Sequence, residues 1–149
     1  MIALLQRVTR GAVRVDDTPV AAIGVGLVVL VGVERGDREP EALRLAERVL
    51  NYRLFADAEG RMNLCLRDTG GGLLLVPQFT LAADTNAGNR PSFSRAADAA
   101  LAERLFQCLL TEAQQQYHSV ASGVFGANMD VELVNQGPVT FFLRVPAGA

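Results

Sequence analysis

The run Gly24-Val25-Gly26-Leu27-Val28-Val29-Leu30-Val31-Gly32-Val33 constrains this chain most. It is valine-rich, punctuated by glycine and free of charge, the pattern of a strand buried on both faces rather than one that shows a face to water. Extended back to Val20 it is the longest apolar run. Even so it falls short of the roughly 20 residues a membrane helix needs, and glycine interrupts it. A doubly covered strand demands partners on two sides, so the rest of the chain must supply both a sheet and something to lay over it.

The flanking patterns supply these. Ile2 to Thr9 reads as a strand, and Ala12 to Val15 alternates before Asp16-Asp17-Thr18-Pro19 turns the chain. Asp37 is a plausible helix N-cap, with Pro40 tolerable only in a first turn. Beyond it Ala42, Leu45, Ala46, Val49 and Leu50 recur at helical spacing. Asp57 to Gly60 and Gly70-Gly71-Gly72 are turns, the second launching a strand from Leu73 to Val76. Thr85 to Ser94 is a polar loop. A second helix is expected from about Ala97 to Gln116, with Leu101, Leu105, Cys108 and Leu109 on one stripe. Val131 and Leu133 then alternate with Asp130 and Glu132, and Val139 to Val145 forms a last strand. The expected fold is α+β: a sheet or open β-barrel with two packed helices, in a single domain spanning 1–149.

Of the 149 residues half are hydrophobic, enough for a core without disulfides or a structural metal. A net charge of −2 argues against coating nucleic acid by bulk electrostatics, though not against touching a few phosphates. All fourteen basic residues are arginine, which removes Schiff-base and P-loop lysine chemistry. Cys65 and Cys108 stand apart, as free thiols in a reducing compartment do. The N-terminus turns polar too early for a signal peptide. A cytoplasmic protein with no membrane association is expected.

The catalytic inventory is thin. His118 follows the second helix, where a lone histidine more often meets the helix dipole than acts as a base. With one histidine and two separated cysteines, neither a zinc site nor another metal is expected, and no cofactor motif occurs. Gly24-Val25-Gly26 lacks the strand-then-helix setting of a dinucleotide loop. Gln78-Phe79-Thr80 ends the strand from Leu73. Thr80 is either a nucleophile, weak without an adjacent base, or simply a good strand residue. Pro77 lacks a backbone donor, so that strand is expected at an edge or with a bulge. Gly137-Pro138, between two strand candidates, reads as a turn, with a cis peptide as the less common alternative.

Taken together these segments resemble one family. Val76-Pro77-Gln78-Phe79-Thr80-Leu81 is similar to the Ser-Gln-Phe-Thr-Leu motif of D-aminoacyl-tRNA deacylases, and Asn135-Gln136-Gly137-Pro138-Val139-Thr140 to their Asn-x-Gly-Pro-Val-Thr motif. The likeness extends through Leu5-Gln6-Arg7-Val8, Met62-Asn63-Leu64, the Ala83 to Phe93 loop and Gly123 to Met129. Pro77 departs from it, standing where the family usually has serine.

The resemblance implies a homodimeric carboxylic ester hydrolase with active sites at the subunit interface. Its partner would be aminoacylated tRNA, held by the 3′ CCA end. It would release D-amino acids, and by the same steric logic glycine, from tRNA. Gln78, Phe79 and Thr80 would form the catalytic segment. Gly137 and Pro138, joined by a cis bond, would enter the other subunit's site and reject L-amino acids. Met129 and Phe125 would line the adenosine side and Arg7 would brace the Gly-Pro loop, with ordinary core packing as the alternative for both Met129 and Phe125. Arg90 and Arg95 would be candidate phosphate contacts. A non-catalytic nucleic-acid-binding module on the same fold is the alternative function, and a small-ligand-binding oligomer a third.

Overall fold

The computed structural model describes residues 1–148. Its frame is a mixed sheet curled toward a barrel, in the order β2-β1-β3-β6-β7, with β8 on the other edge of β1. The elements that build it are β1 (Ile2–Val15), β2 (Thr18–Ile23), β3 (Gly26–Gly32), β6 (Gly72–Pro77), β7 (Val120–Ser122) and β8 (Met129–Arg144). A small hairpin, β4 (Phe55–Ala56) with β5 (Met62–Leu64), lies apart from it. Helices α1 (Glu39–Asn51) and α3 (Ala99–Gln116) are long, and α2 (Leu66–Thr69) is a single turn.

The valine-rich run becomes β3, and it is covered on both sides. Leu27, Val29 and Val31 face the core under the helices, with Leu45, Val49, Leu105 and Leu109. Val28 faces inside the curled sheet, with Val8, Val13, Leu74 and Val76. Parallel pairing with β6 begins at Gly26 opposite Gly72. A Cβ on Gly26 would overlap the Gly72 carbonyl, so the two backbones meet there only because glycine is present. That close approach, not a cofactor, accounts for the glycine.

β1 runs unbroken through Gly11, where separate strands were expected on either side. It pairs with β3 over Ile2–Val8, with β2 over Gly11–Val15, and with β8 along nearly its whole length. The turn to β2 uses Asp16 and Asp17 at positive φ, the two-residue geometry that suits the twist of a hairpin.

Two other expectations are corrected. Asp37 does not cap α1; that position is Arg38, whose N–H donates to Glu41 Oε2 at 2.8 Å. Asp37 is instead buried, accepting from the Met1 ammonium at 2.7 Å and from the Glu34 N–H at 2.7 Å. A full positive charge attracts the carboxylate more strongly than a helix N-terminus does. Likewise β6 is neither an edge strand nor bulged, despite Pro77. It lies between β3 and β7, but β7 pairs only with Leu73–Leu75. Pro77 ends the strand where no neighbour asks for its missing donor. β7 itself, three residues long, carries no readable periodicity.

Candidate active site

β6 delivers the chain to a sharp change of direction. After Pro77 and Gln78, residues Phe79–Ala82 form a 3-10 turn held by Leu81 N–H to the Gln78 carbonyl, 3.2 Å, and Ala83 N–H to the Thr80 carbonyl, 3.1 Å. The first amides of such a turn have no carbonyl behind them. Among the described residues, neither the Phe79 nor the Thr80 N–H has a hydrogen-bond acceptor. Two adjacent backbone donors are therefore unpaired among the described residues, at the end of a buried strand. The Gln78 side-chain amide donates to Thr80 Oγ1, which orients that hydroxyl.

Beside the turn is a largely apolar cavity of about 510 Å³. Val76, Pro77, Gln78 and Phe79 form one wall, Ala97, Ala99 and Ala102 at the start of α3 another, and Phe125 to Met129 with Val131 the rest. Met129 is fixed twice over: its Sδ accepts from the Val124 N–H at 3.3 Å, and it fills space that a Cβ on Gly123 would contest at 2.8 Å. Phe125 leans on Phe106 of the core, ring centres 6.5 Å apart. Gln78, Phe79, Phe125 and Met129 thus converge, with Thr80 one residue beyond the cavity wall.

His118 is not part of this cluster. It follows α3, its ring 4.7 Å from that of Tyr117, whose hydroxyl donates to the carbonyls of Leu66 and Gly71. Ser119 beside it pairs with Leu73, at the opposite end of β6. Roughly 16 Å of strand separates that end from Gln78, so the single histidine is no base for Thr80.

Gly137, Pro138 and Arg7 lie elsewhere on the chain. β8 pairs with β1 on both sides of them, but Gln6 faces Thr140 while Val8 faces Asn135. Gln136, Gly137, Pro138 and Val139 therefore all oppose Arg7 alone, and the chain makes a four-residue excursion from an otherwise continuous strand. The Gly137-Pro138 bond is cis, the isomer the resemblance implies, and Gly137 sits at φ +125°, a region closed to most side chains. Asn135 closes the neck: its Nδ2 donates to Thr140 Oγ1 at 2.8 Å and its Oδ1 accepts from the Val139 N–H at 3.2 Å. Arg7 Nε donates to the Gln136 carbonyl at 3.3 Å and Nη1 to the Leu54 carbonyl at 3.0 Å, linking the excursion to the segment after α1.

Sequence reading missed the neck residues and the alanines. Asn135 and Thr140 stood within the quoted motif, and their polar side chains beside a glycine-proline pair were an available signal. Ala97, Ala99 and Ala102 gave none, since small residues at a helix start serve packing equally well.

The model of the family described as D-Tyr-tRNA(Tyr) deacylase matches residues 4–144. The chain belongs to that family. A D-aminoacyl-tRNA deacylase of Thioalkalivibrio sulfidiphilus (strain HL-EbGR7) is 62% identical over 98% of both chains. One of Methylococcus capsulatus (strain ATCC 33009 / NCIMB 11132 / Bath) is 59% identical over 98% of this chain and 95% of its own. Membership makes this chain a hydrolase of the deacylase class. Among solved structures, the "c-Myc DNA Unwinding Element Binding Protein" superposes with a TM-score of 0.94 at 36% identity, covering 99% of this chain and all of that one. A probable eukaryotic D-amino acid tRNA deacylase, at 17% identity and TM-score 0.81 over 95% of this chain, shares the fold.

Proposed function

We propose that this chain hydrolyses the ester joining a D-amino acid to the 3′ CCA end of tRNA, releasing the free D-amino acid and tRNA. The observation that carries the reading is the pair of unspent amides at Phe79 and Thr80 beside an apolar cavity, in a chain matched along its length by deacylases. Such donors stabilise the oxyanion that forms when water attacks an ester carbonyl. The C–O bond to the ribose then breaks, and the ribose oxygen takes up a proton. With no histidine or carboxylate bonded to Thr80, the terminal ribose's own free hydroxyl activates the water, and Thr80 contributes its amide rather than its hydroxyl.

Chirality is read by the Gly137-Pro138 excursion of a second copy. That these residues do not line their own chain's cavity supports a homodimer in which they serve the partner's. The outer edge of β8, unpaired among the described residues, offers the contact surface, with Val131, Val134 and Phe142 exposed. Backbone carbonyls of the excursion hold the α-amino group and leave space for only hydrogen where an L side chain would project. Many D side chains pass, and so does glycine, which makes glycyl-tRNA a second substrate. The whole chain, 1–149, is the functional unit. It works in the cytoplasm, where tRNA is charged; among the described residues no helix is long and apolar enough to cross a membrane.

Incubation with D-tyrosyl-tRNA and L-tyrosyl-tRNA tests this directly. Only the D ester should disappear. Survival of both would end the deacylase reading, and equal loss of both would end the filter. Thr80→Ala should retain near-normal turnover, and near-total loss would make the hydroxyl the nucleophile. The name of the 36% identical structure keeps a nucleic-acid-binding module in view. That reading predicts binding without ester loss, and the acidic composition disfavours it.

A further inference from the structure

The wall of the cavity continues outward in a second aromatic ring. Phe79 is 60% exposed and Phe93, from the Thr85–Ser94 loop, 43% exposed, an unusual display for two phenylalanines. Their ring centres are 5.2 Å apart at an interplanar angle of 49°. Phe79 lines the cavity and Phe93 does not, so the ring pair extends from the cavity wall to the exposed surface beside it. The loop is pinned at its base by Asp84 and Ser92, which exchange two backbone hydrogen bonds at 2.7 and 3.0 Å. Phe93 is thus carried on a fixed stem. Two residues before that stem closes stands Arg90, exposed and without an ion pair among the described residues. Its neighbour Arg95 is already engaged by Asp84 at 3.6 Å.

An exposed aromatic ring on the same short loop as an arginine without an ion pair is a combination that holds unpaired nucleotides: the ring stacks on a base and the cation meets a phosphate. We propose that Phe93 is the stacking platform for the nucleotide preceding the terminal adenosine, with Arg90 on its phosphate. The proposal rests on the deacylase reading above and extends it from the ester to the next unit of the RNA strand. Stacking on a ring asks nothing of base identity, so the subsite would grip the single-stranded end without reading sequence.

The test compares Phe93→Ala and Phe93→Tyr on two substrates, D-tyrosyl-tRNA and the minimal ester 2′(3′)-O-D-tyrosyl-adenosine. The adenosine ester cannot reach Phe93. Phe93→Ala should lower kcat/KM on the tRNA about tenfold, mostly through KM, and leave the adenosine ester unchanged. Phe93→Tyr, which keeps the ring, should restore the tRNA value. Arg90→Ala should weaken the dependence of the tRNA reaction on salt concentration. Equal losses on both substrates, or no loss on either, would overturn the subsite. A change of oligomeric state in Phe93→Ala, read by sedimentation, would also overturn it and make the ring pair a protein contact. If the unsubstituted protein cleaves neither ester, the deacylase reading itself falls, and the subsite with it.

Discussion

Asn135 is a motif residue whose side-chain hydrogen bonds all lie within the fold. It bridges the two stems of the Gly-Pro excursion through both ends of its side-chain amide. Removing it leaves the β1–β8 pairing on either side intact but frees the neck. Asn135→Ala should therefore fold normally while the L ester gains on the D ester by about tenfold, the scale of its two lost hydrogen bonds taken at their modest net worth. Rates on D- and L-tyrosyl-tRNA measured side by side check this; unchanged discrimination would mean that Arg7 alone holds the loop. At this scale the sequence was partly legible. Gly137-Pro138 and Gln78-Phe79-Thr80 were visible as motifs, and their separation within one chain was expected only through the family resemblance. Asp37 was misplaced because a helix cap is a local inference, and its true partner, the Met1 ammonium, lies 36 residues away.

Elements were read best where a pattern repeats. The α1 stripe is buried in full, and β3 is covered on both faces as its composition demands. Continuity was harder, because glycine and proline usually end a strand, yet β1 passes through Gly11 and β8 resumes after Pro138. Three carboxylates, in α1, in the β4–β5 hairpin and in α2, accept backbone or side-chain hydrogen bonds. The Gly148 N–H holds the Glu41 carboxyl below its usual range, the Asn63 amide does so for Asp57, and the Cys65 N–H for Asp68. A folded-state value below the unfolded one means that the stabilisation is present above the ordinary carboxylate range, near pH 4, and is lost as pH falls through the folded values. The urea midpoint should drop on acidification below about pH 4. Glu41→Gln should flatten that drop, and an unaltered profile would show that Glu41 contributes nothing to it.

At the scale of the whole molecule the decisive point is that the cavity and the Gly137-Pro138 excursion belong to one chain but do not meet within it. Subunit mixing tests whether they meet between chains. A variant damaged at Gly137 and another damaged at Gln78 should each lose D-specific turnover. After mixing and exchange, a hybrid dimer holds one site built from the intact cavity of the first and the intact loop of the second. About a quarter of the original sites should then be working. No recovery on mixing would place both functions within single subunits. The open barrel was among the folds expected from the order of elements, whereas a loop serving a second subunit came only from the family resemblance, since distances between remote segments are not written along the chain.

The four-residue excursion opposite Arg7 also has a meaning for engineering. Pairing on its two sides is set independently of what the excursion contains, so the sheet treats it as a replaceable cartridge. Exchanging Gln136–Val139 for one residue would give Arg7 a single partner and leave only the irregularity between Val8 and Arg10 in the ladder. The product would keep the fold and the oxyanion donors while losing its handedness: an esterase for charged tRNA that no longer distinguishes mirror images. Under the proposed function, stereochemical selection is an inserted part, separable from the architecture that bears it.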